Sequence, residues 1–140
     1  MAMRQATGSL TITAARTGLH EITDAVRAWV DEQRMQNGLL ALFLRHTSAS
    51  LLIQENAAPA ARRDLERFFA RIAPEDATYE HDDEGPDDMP AHLRSALTQV
   101  HLSISLVGGE LQLGTWQGIY LFEHRRRPSP RTIALHLIGE

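Results

Sequence analysis

The apolar residues of this chain change their period in an order that alternating strand-helix units do not produce. Ser9 to Thr13 alternates polar and apolar residues, as a half-buried strand does. From Glu21 to Met35 the positions Ile22, Val26, Trp29, Val30 and Met35 recur at helical spacing, with Asp24 in the first turn and Asn37-Gly38 beyond the end. Leu39 to Leu44 is an unbroken apolar run, the pattern of a strand covered on both faces. A short strand over Ser50 to Gln54 follows. Next comes a helix over Ala60 to Ile72, with Leu65, Phe68, Phe69 and Ile72 on one stripe between Pro59 and Pro74. Glu75 to Asp88 has no hydrophobic period and contains Gly85-Pro86, so it reads as a loop. Asp88, Pro90 and the run Leu93, Ala96, Leu97 mark a short third helix. Strands over His101 to Val107, Ile119 to His124 and Thr132 to Ile138 close the chain, the first turning through Gly108-Gly109 into a shorter strand, Glu110 to Leu113. Strands cluster late, which predicts an α+β fold with a mostly antiparallel sheet, two longer helices and one short helix.

The 140 residues fit one domain, 1–140, with a core that needs no staples. Zero cysteines remove a disulfide framework, thiolate metal ligands and a cysteine nucleophile. A cytoplasmic address is the default expectation. No apolar run approaches the roughly 20 residues that span a bilayer, so no membrane segment is expected. All fourteen basic residues are Arg, which excludes lysine chemistry. Eight of the eighteen acids lie between Glu75 and Asp88, leaving the rest of the chain basic. The only basic run is Arg125-Arg126-Arg127, and aromatics are scattered at 6%, so no nucleic-acid partner is expected.

Three windows carry chemistry. Arg45-His46-Thr47-Ser48-Ala49-Ser50 stands where the buried strand ends, a place where a histidine beside hydroxyls can hold an anion or a metal; hydroxyls satisfying a turn explain it equally well. Tyr79 to His92 brackets an acidic loop with His81 and His92, and His with Asp or Glu is a ligand set for zinc or another divalent ion. A solvated loop is the alternative there, and Asp88 reads first as the N-cap of the third helix. In Gly114-Thr115-Trp116-Gln117-Gly118, glycines allow close backbone approach, Thr115 and Gln117 can hydrogen-bond a ligand, and Trp116 can form a stacking wall; a hairpin with an anchoring tryptophan fits as well. Glu123 can orient a ligand histidine from behind. His20 precedes a helix and His101 and His136 lie in strands, where structural roles suffice.

These windows, with Gln54-Glu55-Asn56 after the first, resemble in their order the YjbQ family, small proteins labelled secondary thiamine-phosphate synthases. The resemblance runs from Ser9 to Glu140 and is most specific at Gly114-Thr115-Trp116-Gln117-Gly118. It implies an α+β fold round a closed or sandwiched sheet, a homotrimer, and a site combining His46, His81 and His92 with Glu84, Asn56, Thr115, Gln117 and Glu123. The implied reaction joins a pyrimidine diphosphate to a thiazole phosphate and releases pyrophosphate. A three-histidine set suits Zn²⁺ or another transition metal better than Mg²⁺. The expectation is therefore a metal-assisted enzyme acting on a small phosphorylated or anionic molecule. His46, His81 and His92 would be its ligands, Glu84, Glu123, Thr115 and Gln117 its catalytic set, and Thr47, Ser48, Asn56, Trp116 and Arg125 its substrate contacts. The alternative is a non-catalytic trimeric module that captures a small anion or a metal.

Overall fold

The computed structural model describes residues 2–140. Its elements in chain order are β1 (Arg4–Ile12), β2 (Gly18–Glu21), α1 (Thr23–Glu32), β3 (Gly38–Leu44), β4 (Ala49–Glu55), α2 (Pro59–Ile72), α3 (Asp88–Leu97), β5 (His101–Val107), β6 (Glu110–Leu111), β7 (Gln117–Glu123) and β8 (Arg131–Gly139). They form two antiparallel sheets, one ordered β1-β8-β3-β5-β6 and the other β2-β7-β4. The α+β expectation holds, and α3, at ten residues, equals α1 in length.

Inner faces of both sheets and one side of α1 share a single core. Val26 and Val30, one turn apart on α1, pack with Leu40, Leu42 and Leu44 of β3, Ile119 and Leu121 of β7, and Ile133, Leu135 and Leu137 of β8. The alternate residues of β7, Tyr120 and Phe122, pack with Leu19, Leu52, Leu65 and Phe69 beneath α2. Strand β7 is therefore covered on both faces, in agreement with its unbroken apolar sequence.

The similar run in β3 has a different fate. Leu40, Leu42 and Leu44 are buried, whereas Leu39 and Phe43 on the opposite face are each 51% exposed. Two-faced burial is corrected to one-faced burial, because among the described residues no element lies over the outer face of β3. On that face Leu39 is paired beside Ile138, itself 46% exposed.

Two further differences have local causes. Glu21 pairs with Tyr120 as the last residue of β2, so α1 starts at Thr23 rather than at Glu21, and His20 lies in a strand. Arg34 adopts a left-handed turn at φ 54°, which ends the helix before Met35 while leaving that residue buried. The guanidinium of Arg4 donates to the exposed carbonyls of Gln33 and Arg34 there.

Candidate functional site

The first turn of α3 carries Asp88, and His92 stands four residues on, hence on the same helix face. The loop ahead of α3 folds His81 onto them; its Tyr79 hydroxyl donates to the Pro74 carbonyl at 2.6 Å. One carboxylate oxygen, Asp88 Oδ2, lies 2.8 Å from His81 Nε2 and 3.2 Å from His92 Nε2. Glu84 Oε2 is 3.0 Å from the same His81 nitrogen, and Asp83 faces its other nitrogen at 3.4 Å. Ligands about 2.0–2.1 Å from a tetrahedral Zn²⁺ stand about 3.3 Å apart, so the three atoms are already near metal-binding separations.

Arg125, just past the end of β7, builds this corner from behind. Its Nη1 donates to Asp88 Oδ1 at 2.6 Å, its Nε to Asp87 Oδ2 at 3.0 Å and its Nη2 to the Glu84 carbonyl at 3.0 Å. The Arg126 N–H also donates to Asp87 Oδ2 at 2.8 Å. Asp88 thus presents one oxygen to arginine and the other to two imidazoles. It is not an N-cap: Asp87 holds that position without a side-chain capping bond among the described residues, and Asp88 is the first helical residue. Burial pulls the Asp88 carboxyl upward, but the His81 hydrogen bond and the charges of His92 and Arg125 outweigh it and hold it low. The same hydrogen bond, donated to Asp88, pushes His81 above its usual value.

His46 is placed elsewhere. Its Nε2 accepts the Thr132 N–H at 2.9 Å, so in the neutral ring the proton sits on Nδ1 and neither nitrogen is free to ligate. Burial, then the charge of Arg131, lowers its pKa. Among the described residues, the groups whose ligand atoms converge within 4.8 Å are His81, Asp88 and His92, and His81, Asp83 and Glu84. Within one chain, two of the three expected histidines thus come together beside a carboxylate, and His46 lies apart from them.

Glu123 is fully buried and paired with Arg131, whose Nε donates to Oε1 at 2.8 Å; its other oxygen accepts the Arg125 N–H at 3.1 Å. A carboxylate so enclosed and saturated is an internal counter-charge, not a base open to a substrate. Ser48 contributes its carbonyl to His124 and Arg131, and Thr47 is exposed. Asn56, Thr115, Trp116 and Gln117 lie at the opposite end of β7, about 20 Å away by strand rise. Asn56 does not cap α2, whose N-cap is Ala58; its amide donates to Glu21 instead. Two features escaped the sequence reading. The Asp88–His92 spacing of four was there to be seen, whereas Arg131 and His124 carried no local signal.

What fold and site define so far is a small α+β protein with a His-Asp-His corner at the start of its third helix. Residues 8–140 match the family described as UPF0047 protein YjbQ-like, and the chain belongs to that family. It is 49% identical over 138 residues to UPF0047 protein sll1880 of Synechocystis, covering 98% of this chain and 94% of that one. It is 46% identical over 133 residues to UPF0047 protein YjbQ of Escherichia coli O157:H7, covering 94% and 96%. Among solved structures, hypothetical protein APE1520 of Aeropyrum pernix superposes with a TM-score of 0.87 at 31% identity, covering 96% of this chain and 99% of that one. A YbjQ-like protein of Sulfolobus solfataricus reaches a TM-score of 0.91 at 24% identity, covering 99% and 100%, and shows the shared fold.

These findings correct the expected thiamine-phosphate synthase function. The relatives carry UPF0047 names with no activity attached, and the Sulfolobus protein is described as of unknown function; no thiamine-phosphate synthase stands among them. The geometry agrees. Arg125, expected to contact an anionic substrate, is committed to Asp87 and Asp88, and Arg126 is paired with Glu75. Among the described residues no helix is long and apolar enough to cross a membrane.

Proposed function

We propose that this chain is a divalent transition-metal-binding protein of the cytoplasm, with His81, Asp88 and His92 as ligands. The observation that carries this reading is the convergence of two imidazole Nε2 atoms on one carboxylate oxygen, at 2.8 and 3.2 Å. Two nitrogens and one oxygen favour Zn²⁺ or a similar ion over Mg²⁺, which prefers all-oxygen octahedra. Arg125 positions Asp88 from behind, as an outer partner orients a ligand. A divalent ion held there supplies a Lewis-acid centre facing solvent. Glu84 stands within reach of the His81 side.

Tag-free protein titrated with Zn²⁺ in a calorimeter is expected to bind one ion per chain, with excess Mg²⁺ failing to compete. The double variant His81→Ala/His92→Ala should lose at least about a hundredfold in affinity, while Arg125→Met should lose about tenfold through the slackened carboxylate. Binding should weaken as pH falls below neutrality, because protons compete with the ion for His81, whose pKa the Asp88 hydrogen bond raises. Absence of saturable Zn²⁺ binding, or equal binding by the double variant, rejects the reading.

We further propose a homotrimer closed over the outer face of β3 and β8. Leu39, Phe43 and Ile138 form an uncovered apolar patch there, of the kind that marks an interface. Light scattering should give three times the 15.6 kDa chain mass for the parent and the chain mass for Leu39→Glu/Phe43→Glu. A monomeric parent rules the trimer out.

A further inference from the structure

At the other end of β7 a cleft of about 670 Å³ opens between the start of α1 and the Gly114–Gln117 turn, a volume in the range of small-molecule sites. Its distinctive member is Glu21. The Ile119 N–H donates to the hydroxyl of buried Thr23 at 2.9 Å, and that hydroxyl donates to Glu21 Oε2 at 2.7 Å. Asn56 Nδ2 donates to the same oxygen at 3.0 Å. Groups from α1, β7 and the end of β4 thus fix one oxygen of a carboxylate whose residue is exposed. Holding an exposed glutamate in one rotamer costs entropy, and no such carboxylate is needed to pair the strands. Gly118 leaves room for it, since a Cβ there would stand 2.5 Å from Oε2.

The remaining walls suit a particular ligand. Ile12 and Leu113 give the cleft an apolar side. The turn is locked on itself: the Gly114 N–H donates to Gln117 Oε1 at 2.7 Å and the Gln117 N–H to the Gly114 carbonyl at 3.0 Å. Between those two residues Trp116 is 63% exposed, although its carbonyl accepts the Asn56 N–H at 3.0 Å. The backbone under the bare indole is therefore tied to the same asparagine that holds Glu21. Asp24 and Arg27 offset each other in formal charge, leaving Glu21 as the net charge of the cleft. A fixed carboxylate beside an apolar wall matches a small organic cation, by Coulomb attraction and burial of its apolar body.

We propose that this cleft binds a small organic cation, a molecule with an ammonium group on an apolar body, with Glu21 as counter-charge and Ile12 and Leu113 as the apolar face. The site is separate from the histidine corner and does not depend on the metal reading. In a Trp29→Phe background Trp116 is the sole tryptophan, and titration with tetramethylammonium should change its emission saturably. Neutral tert-butanol and inorganic phosphate should not. Calorimetry on the unaltered chain gives the same comparison without that substitution. Glu21→Gln keeps an oxygen for the Thr23 and Asn56 donors, so its melting midpoint should stay close to the parent's while affinity falls roughly tenfold. His81→Ala/His92→Ala should bind tetramethylammonium like the parent. No saturable response to the cation, undiminished affinity in Glu21→Gln, or binding of phosphate in its place overturns the proposal.

Discussion

Arg131→Met is expected to destabilise the chain by about 3–5 kcal/mol, because it strands a buried charge. Glu123 is fully buried, and two of its three hydrogen bonds come from the Arg131 guanidinium. Methionine retains most of the volume, so the loss reports charge rather than cavity. Arg131 Nη2 also donates to the Ser48 carbonyl at 3.2 Å, and that carbonyl is left with the His124 N–H at 3.3 Å. For a domain of this size the melting midpoint should fall by on the order of 10 °C. The double variant Glu123→Gln/Arg131→Met removes the stranded charge while keeping an acceptor for the Arg125 N–H, and should regain at least half of the deficit. Urea unfolding at constant slope measures both. A single variant within about 1 kcal/mol of the parent would show that water reaches Glu123 and that the pair is not the internal anchor its burial implies.

Most of this architecture was legible because period survives in sequence wherever one face is buried. Helix α2 and strands β4, β5 and β8 lie within a few residues of where spacing and turn residues put them. Strand β2 was not legible. It has four residues, two of them His20 and Glu21, and its pairing comes from β7, a hundred residues away. The runs Leu39–Leu44 and Ile119–Phe122 look alike, yet α2 covers the outer face of the second, and among the described residues no element covers that of the first. Periodicity records which residues are apolar, not which element arrives to lie on them. The site shows the same division. His81 and His92 could be singled out from one window, and the helix brings Asp88 to His92. His46 shares only the chemistry of the other two, since its ring is bound to the backbone of β8. Arg125 looked like a free clamp because its partners, Asp87 and Asp88, precede it by 38 and 37 residues, in what read as a solvated acidic loop.

Acid should expose the second internal anchor, His124. This ring is buried 4.3 Å from Phe122, its Nε2 lies 2.9 Å from the Ser50 hydroxyl, and its Nδ1 has no partner among the described residues. Burial, followed by the charges of Arg94 and Arg131, lowers its pKa to about 3. The unfolded chain takes up this proton near pH 6.5, whereas the folded chain refuses it until far lower. The stability contributed is therefore complete above pH 6.5 and drains away as pH falls toward 3, at about 1.4 kcal/mol per unit. Between pH 7 and pH 4.5 the parent should lose on the order of 3 kcal/mol relative to His124→Gln, which keeps a polar group near Ser50 and has no proton to gain. His46, lowered first by burial and then by Arg131, adds a term of the same sign that the variant retains. His81 works in the opposite direction. Its pKa is raised by the Asp88 hydrogen bond, so its contribution is complete below pH 6.5 and is lost as pH rises through the raised value. Asp87 and Asp88 are held below their usual values and begin to weigh only in stronger acid. The window above pH 4.5 thus isolates the imidazoles, and the difference between the two urea-midpoint curves isolates His124. Parallel curves would mean that the folded chain admits a proton or a water beside Nδ1, and the ring would then be no barrier to acid unfolding.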